Sequence, residues 1–316
     1  VLPASQNPYQ ALLYDALHSV DSDDKYHLIK MNSLLFCLMP LYLIYMRAIK
    51  GYDIVHIHWL VFSTRLNFPG SKRLSYLYSI FNIWLISSLK YKLVWTVHNV
   101  MPHEKNTAND KKVAVYLSKK ANLKIVHSTE SLNQLRGINA DTERTAVIPH
   151  GNYVGQYKNT ISRKQARDIL GVPQDVRVIL FFGAIRIYKG VDKLINSFSK
   201  ISNNDFRLII AGKADSHSAN IIDATISGDS RITVINKFIK DDDVQLYMNA
   251  SDAVCIPFEN ITTSGSAILS MSFGKPIIAP RIGAINDFPS SCGILYSDNL
   301  DEALYLFSRM SKKDIA

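Results

Sequence analysis

Apolar residues along this chain fall into short β-branched runs separated by longer mixed stretches. Residues 53–58 (DIVHIH), 92–98 (KLVWTVH), 123–127 (LKIVH) and 146–149 (AVIP) each have the length and composition of a strand. Residues 9–20 carry a helical pattern, and helix-length segments separate the strands. Strands that alternate with helices predict a parallel sheet joined by right-handed crossovers.

The pattern breaks at His150-Gly151-Asn152, where Asn152, Gln156, Lys158, Asn159 and Ser162 form a polar stretch ahead of a basic helix at 163–170. A second series follows, with strands at 177–182 (RVILFF), 206–211 (FRLIIA), 231–235 (RITVI), 253–257 (AVCIP) and 275–279 (KPIIA). Helices are expected between them at 191–201, 241–248 and 265–273. The fold class is therefore α/β, with two Rossmann-like domains over residues 1–151 and 152–316. In such sheets ligands sit at the carboxyl ends of the strands.

Two segments are more apolar than the rest, 34–46 (LLFCLMPLYLIYM) and 76–89 (YLYSIFNIWLISSL). Both are shorter than the ~20 residues of a spanning helix. The first expectation is a pair of buried core helices. The other is a face that enters a membrane interface, aided by Arg47, Lys50, Lys72, Arg73, Lys90 and Lys92 and by Tyr78 and Trp84.

Composition narrows the classes. The hydrophobic share is 47%, which supports two cores and excludes disorder. The net charge of +9 suits an anionic partner. Its cations are scattered without a tract, which argues against nucleic acid. Cys37, Cys255 and Cys292 are too few and too dispersed for a disulfide framework or a metal site. So few cysteines fit a reducing compartment, and the expected location is cytoplasmic, with the inner face of the plasma membrane as its alternative.

Three loops carry candidate chemistry. Gly183, Arg186 and Lys189 follow the strand at 177–182; the glycine admits a close ligand, and the cations can reach a diphosphate. The loop with Glu259, Thr263, Ser264, Gly265 and Ser266 leads directly into an apolar helix. Hydroxyls and a glycine at a helix N-terminus form an anion site, and also an ordinary N-cap. In the N-terminal half the strand ending at His98 is followed by His103 and Glu104, groups suited to acid–base work or to sugar hydroxyls. Pro102-His103-Glu104 also has the form of a plain helix start. His56 and His58 share one strand face, as supporting or core residues at least as much as catalytic ones. His98-Asn99-x-x-x-His103 is not a convincing metal-ligand spacing on a loop.

Residues 183–192, with Lys189-Gly190-Val191-Asp192, resemble the glycine–lysine loop of GT-B glycosyltransferases near family 4. Ala250-Ser251-Asp252-Ala253 with Pro257, then Gly274-Lys275-Pro276, is similar to that family's second signature. Ile54–Trp59 and Trp95–Asn99 resemble its N-terminal strands. The family's paired glutamates align with Ile261 and Leu269, with Glu259 nearby but displaced. Its arginine after the turn glycine is Ala184 here, with Arg186 two residues on.

The resemblance implies two domains facing across a cleft and transfer of a UDP- or GDP-linked sugar to a polyprenyl-diphosphate-linked or other glycan acceptor in polysaccharide biosynthesis. It implies no cofactor beyond the nucleotide-sugar, which is a substrate, and no metal. Arg186, Lys189 and the Ser264–Ser266 turn would take the diphosphate, with Gly183, Glu259 and Thr263 beside them. His98 matches a family histidine near the transferred sugar. In an inverting reaction Glu104, then His103, would be the base; in a retaining one the leaving phosphate would assist. Peripheral contact with the inner face of the plasma membrane fits such an acceptor. Two other outcomes stand: a GT-B nucleotide-sugar epimerase, and a non-catalytic sugar-nucleotide- or membrane-binding module.

Overall fold

Two all-parallel sheets organise the chain, one in each of two units, residues 1–150 and 151–316. A computed structural model describes residues 1, 8–21, 26–27, 38–59, 71–100, 108–226, 228–259 and 261–310.

In the first unit the elements run α1 (Pro8–Val20), α2 (Met39–Ala48), β1 (Ile54–Ile57), α3 (Ser71–Ser88), β2 (Lys92–Val97), α4 (Ala108–Lys120), β3 (Leu123–Val126), α5 (Thr129–Gly137) and β4 (Thr145–Val147). The strands pair in the order β1-β2-β3-β4, each parallel to the next. Leu93, Trp95 and Val97 of β2 pack with Val55 and Ile57 of β1 and with Val113 and Leu117 of α4, and this cluster is the core. Lys124 is fully buried on β3, where its amine donates to the Ser118 carbonyl at 3.1 Å and lies 3.7 Å from Asp141.

The described parts of the two apolar segments are helical and only half-buried: Met39 and Leu43 of α2 and Ile83, Leu85 and Ile86 of α3 enter the core, while other apolar side chains face outward. On α3 the polar Ser75, Ser79 and Asn82 face inward at 1%, 0% and 0% exposure, while Leu74, Leu77, Phe81 and Trp84 are 44–54% exposed. On α2 only Met39 and Leu43 are buried; Leu41, Ile44 and Tyr45 face outward. Ser79 donates to the Ser75 carbonyl and Asn82 to that of Tyr78, while Ser75 Oγ and Asn82 Oδ1 find no partner among the described residues. No helix among the described residues is long and apolar enough to cross a membrane. Residues 34–37 of the first segment lie outside the described ones.

The second unit runs α6 (Arg163–Leu170), β5 (Arg177–Phe182), α7 (Val191–Ser199), β6 (Phe206–Ala211), α8 (Ser216–Ile226), β7 (Ile232–Ile235), α9 (Val244–Ala250), β8 (Ala253–Cys255), α10 (Gly265–Ser272), β9 (Ile277–Pro280), β10 (Gly293–Tyr296) and α11 (Leu300–Arg309). Its six-stranded sheet has the order β10-β9-β8-β5-β6-β7. The chain reverses direction of travel between β5 and β8, the switch point at which open α/β sheets bind ligands. Val178 through Phe181 are all fully buried, as expected for a strand covered on both faces. A buried ion pair fastens α6 to the sheet. The fully buried Arg167 meets Asp252 at 2.8 Å and donates to the Ala250 and Val176 carbonyls, while Asp252 accepts from the Val178 amide at 2.7 Å.

Candidate donor and acceptor sites

The switch point brings two loops together. After β5 the chain turns at Gly183, passes Arg186 and a short 3-10 turn at Ile187–Lys189, and enters α7 through Gly190 in the left-handed region, φ 64°. A side chain at Gly190 would place its Cβ 2.2 Å from the Pro257 carbonyl oxygen, so glycine is what lets this loop touch the one after β8. Ser266 closes the same gap, its hydroxyl donating to the Phe182 carbonyl at 3.1 Å. At Gly183 the space a Cβ would fill lies 3.2 Å from Ser266 Oγ and 3.7 Å from Lys189 Nζ. The glycine turn, the lysine and the hydroxyl turn thus converge on one spot.

Lys189 lies over the Phe258 ring at 5.0 Å. Burial, and then the neighbouring Arg186, pull its amine down to about 8. Arg186 is held by the Ile185 and Lys213 carbonyls and by Asp215 at 3.3 Å. Ser264 is the N-cap of α10, accepting from the Ala267 amide. Gly265 and Ser266 open that helix, where partial positive charge gathers. Thr263 Oγ1 is buried and finds no hydrogen-bond partner among the described residues. Glu259 forms an ion pair with Lys193 at 2.6 Å.

The first unit has a second constellation. His58, His98 and His127 each directly follow a strand, β1, β2 and β3, and His150 stands three residues after β4. All four rings gather around Tyr9 of α1, with centroids 4.7–5.9 Å from its own. A run of hydrogen bonds links Thr96 to His56 (2.8 Å), His56 to Tyr14 (2.6 Å), Tyr14 to His58 (3.1 Å) and His58 to His98 (3.1 Å). His98 also stacks on Trp59 at 4.6 Å. Burial pushes His56 and His98 down to about 3, and His58 lower still. These rings are therefore neutral at physiological pH, with both nitrogens of His56 and of His58 engaged within the run. Among the described residues no group of three or more His, Cys, Asp or Glu could hold a metal ion.

Comparison with known proteins bears on this arrangement. Residues 176–305 match the family described as glycosyl transferases group 1. The chain is 22% identical over 283 residues to GDP-mannose:glycolipid 4-beta-D-mannosyltransferase of Xanthomonas campestris pv. campestris, covering 88% of this chain and 70% of that one. It is 25% identical over 180 residues to D-inositol 3-phosphate glycosyltransferase of Corynebacterium diphtheriae, covering 52% of this chain and 41% of that one. Sucrose-phosphate synthase from Thermosynechococcus elongatus shares the fold at a TM-score of 0.75 and 18% identity, over 99% of this chain and 86% of that one. The HepE protein of Anabaena, solved with UDP-glucose, does so at 0.71 and 17%, over 96% and 80%. The chain is a glycosyltransferase with the GT-B fold, similar over residues 176–305 to the group 1 glycosyl transferases.

In this glycosyltransferase Gly183, Lys189 and Ser266 lie together at the switch point, while Ser264 caps α10 and Glu259 pairs with Lys193. His98 ends β2 within the histidine cluster. His103 and Glu104 fall outside the described residues. Sequence reasoning passed over Tyr9, Tyr14, His127 and His150. The signal was present in the chain: each strand of the first unit is followed within three residues by a histidine.

Proposed function

We propose that this glycosyltransferase moves a sugar from a UDP- or GDP-linked donor to a lipid-linked or glycan acceptor. In this reading the second unit holds the donor and the first unit presents the acceptor. The observation that carries it is the meeting of Gly183, Lys189 and Ser266 at the β5/β8 switch point. Lys189, Arg186 and the N-terminus of α10 would stabilise the departing nucleoside diphosphate, where negative charge develops. Thr263, whose Oγ1 is buried and unmatched among the described residues, is a further hydroxyl that could gain a partner there. His98 would contact the transferred sugar. Glu104, with His103 second, is the candidate base for the acceptor hydroxyl in an inverting reaction. The mannosyltransferase named above acts on a glycolipid with GDP-mannose, which supports both halves of the proposal.

The outward stripes of α2 and α3 support peripheral contact with the inner face of a membrane. Leu41, Ile44, Leu77, Phe81 and Trp84 face out, and Arg47, Lys50, Lys90 and Lys92 flank the helices. Apolar insertion with basic flanks suits anionic lipid. A panel of nucleotide-sugars tests the main reading by thermal stabilisation and slow donor hydrolysis. Stabilisation and hydrolysis by one donor are expected, and indifference to every UDP- and GDP-sugar would refute it. Co-flotation with anionic liposomes at low salt, lost at high salt, is expected for the membrane contact.

A further inference from the structure

His127 differs from the other histidines of the cluster. It follows β3 directly and is buried at 5% exposure. Its Nδ1 lies 2.9 Å from the Ile148 carbonyl oxygen. A carbonyl can only accept, so Nδ1 carries the hydrogen, and in the neutral ring Nε2 is left as a bare lone pair. Among the described residues nothing hydrogen-bonds Nε2. Around the ring stand Tyr9, His98 and His150, with centroids 5.2, 5.3 and 5.3 Å from its own.

A buried acceptor left unmatched is costly, and such groups in folded proteins call for an explanation. Packing alone would be met as well by a phenylalanine or leucine. Here the backbone bond to Ile148 fixes the tautomer and leaves an unmatched lone pair on a ring that belongs to the cluster at the carboxyl ends of the strands.

We propose that His127 Nε2 receives a hydrogen bond from a sugar hydroxyl of the acceptor and so orients the acceptor for attack. The proposal rests on the reading of the first unit as the acceptor side. His127 is a hydrogen-bond acceptor in this role rather than the base. Burial, set against the Ile148 bond and joined by His150, holds the ring down at about 4, with no carboxylate among the groups that shift it. An imidazolium there would be a buried cation without a counter-charge. Accepting a hydrogen bond needs only the lone pair.

The test compares His127→Asn with His127→Gln. Asparagine keeps an amide N–H near the Nδ1 position and deletes the distal acceptor. Glutamine places an amide oxygen near the Nε2 position. Acceptors are a panel of n-octyl glycosides, with the donor that stabilises the wild type. Expected for His127→Asn is a KM for the octyl glycoside raised about three- to tenfold, the value of one neutral hydrogen bond. The KM for donor and the rate of donor hydrolysis without acceptor should stay at wild-type values, and His127→Gln should recover at least half the loss. An unchanged acceptor KM in His127→Asn, or equal loss in two variants with wild-type melting temperatures, overturns the proposal. Nitrogen NMR of the wild type is the independent measurement. Nε2 should carry no hydrogen in the free protein and shift when an octyl glycoside is added. A protonated Nε2, or one unmoved by every glycoside, overturns it as well. Loss of donor stabilisation and hydrolysis in the wild type would instead count against glycosyl transfer itself.

Discussion

Replacing Lys189 by methionine should stabilise the free protein and weaken nucleotide binding together, two effects that separate with pH. The amine stands at about 8 against an ordinary 10.5, first through burial and second through Arg186. Below pH 8 the lysine is charged in both folded and unfolded chains, so the full cost of burying the cation is present. Between pH 8 and 10.5 the unfolded chain binds a proton that the folded one does not, and stability rises with pH. Above 10.5 both forms are neutral and the cost is gone. At about 1.4 kcal/mol per pH unit, the cost is about 3 kcal/mol as an upper bound. Lys189→Met keeps the stem and deletes the charge. In urea denaturation it should therefore exceed the wild type by up to about 3 kcal/mol at pH 7, with the gap closing toward pH 10. Calorimetric titration with UDP and GDP should show the opposite. Affinity for the preferred nucleotide should fall at least about tenfold at pH 7, the scale of one lost charge-assisted contact. The wild type's own affinity should decline once pH passes 8. A stability gap that is constant from pH 7 to 10, or unchanged affinity in Lys189→Met, would refute the reasoning.

Three further outcomes are expected. Gly190→Ala forces a Cβ against the Pro257 carbonyl and a left-handed backbone on a non-glycine residue; it should cost about 2–4 kcal/mol and lower nucleotide affinity, as thermal melting and titration would show. Asp252→Asn leaves the buried Arg167 without its counter-charge; a loss of about 3–5 kcal/mol is expected, read as a fall in melting temperature of roughly 10 °C. Glu104→Gln should cut turnover strongly while nucleotide affinity holds, and near-normal turnover would remove Glu104 from the mechanism.

Much of this architecture was legible in the chain because backbone hydrogen bonding and burial leave local marks. The run at 177–182 is a strand buried on both faces, and its continuous β-branched and aromatic composition announces it. The polar break and basic helix after His150 coincide with the capping box of Ser162 and Gln165. Other features depend on partners far away in sequence. The strand at Gly293–Tyr296 and the helix at Leu300–Arg309 went unread, because that strand is half-exposed and its run is only four residues long. The orientation of α3 was hidden for a different reason. Serines and an asparagine look like the solvent side of a helix, yet Ser75 and Ser79 turn inward and Leu74 and Leu77 stand outside. The donor loops could be picked out as loops, but the contact of Gly190 with Pro257 needs the sheet order. The histidine cluster is likewise a product of topology, since only a parallel sheet sets four strand ends side by side.

That sheet order also has a consequence for how the protein is made. β5 must pair with β6 and also with β8, whose first residue, Ala253, lies more than seventy positions after Phe182. A ribosome that has released β5, β6 and β7 has produced half a sheet with one side of β5 still unpaired. The Ser264–Ser266 turn emerges only later, so the nascent chain holds no complete anion site for most of the synthesis of this unit. Ligand cannot rescue an early intermediate of this kind, and β5 must wait with its edge open until β8 arrives. Slow, aggregation-exposed folding should therefore be relieved by chaperones that cover the β5 edge, and not by supplying nucleotide to the translating cell.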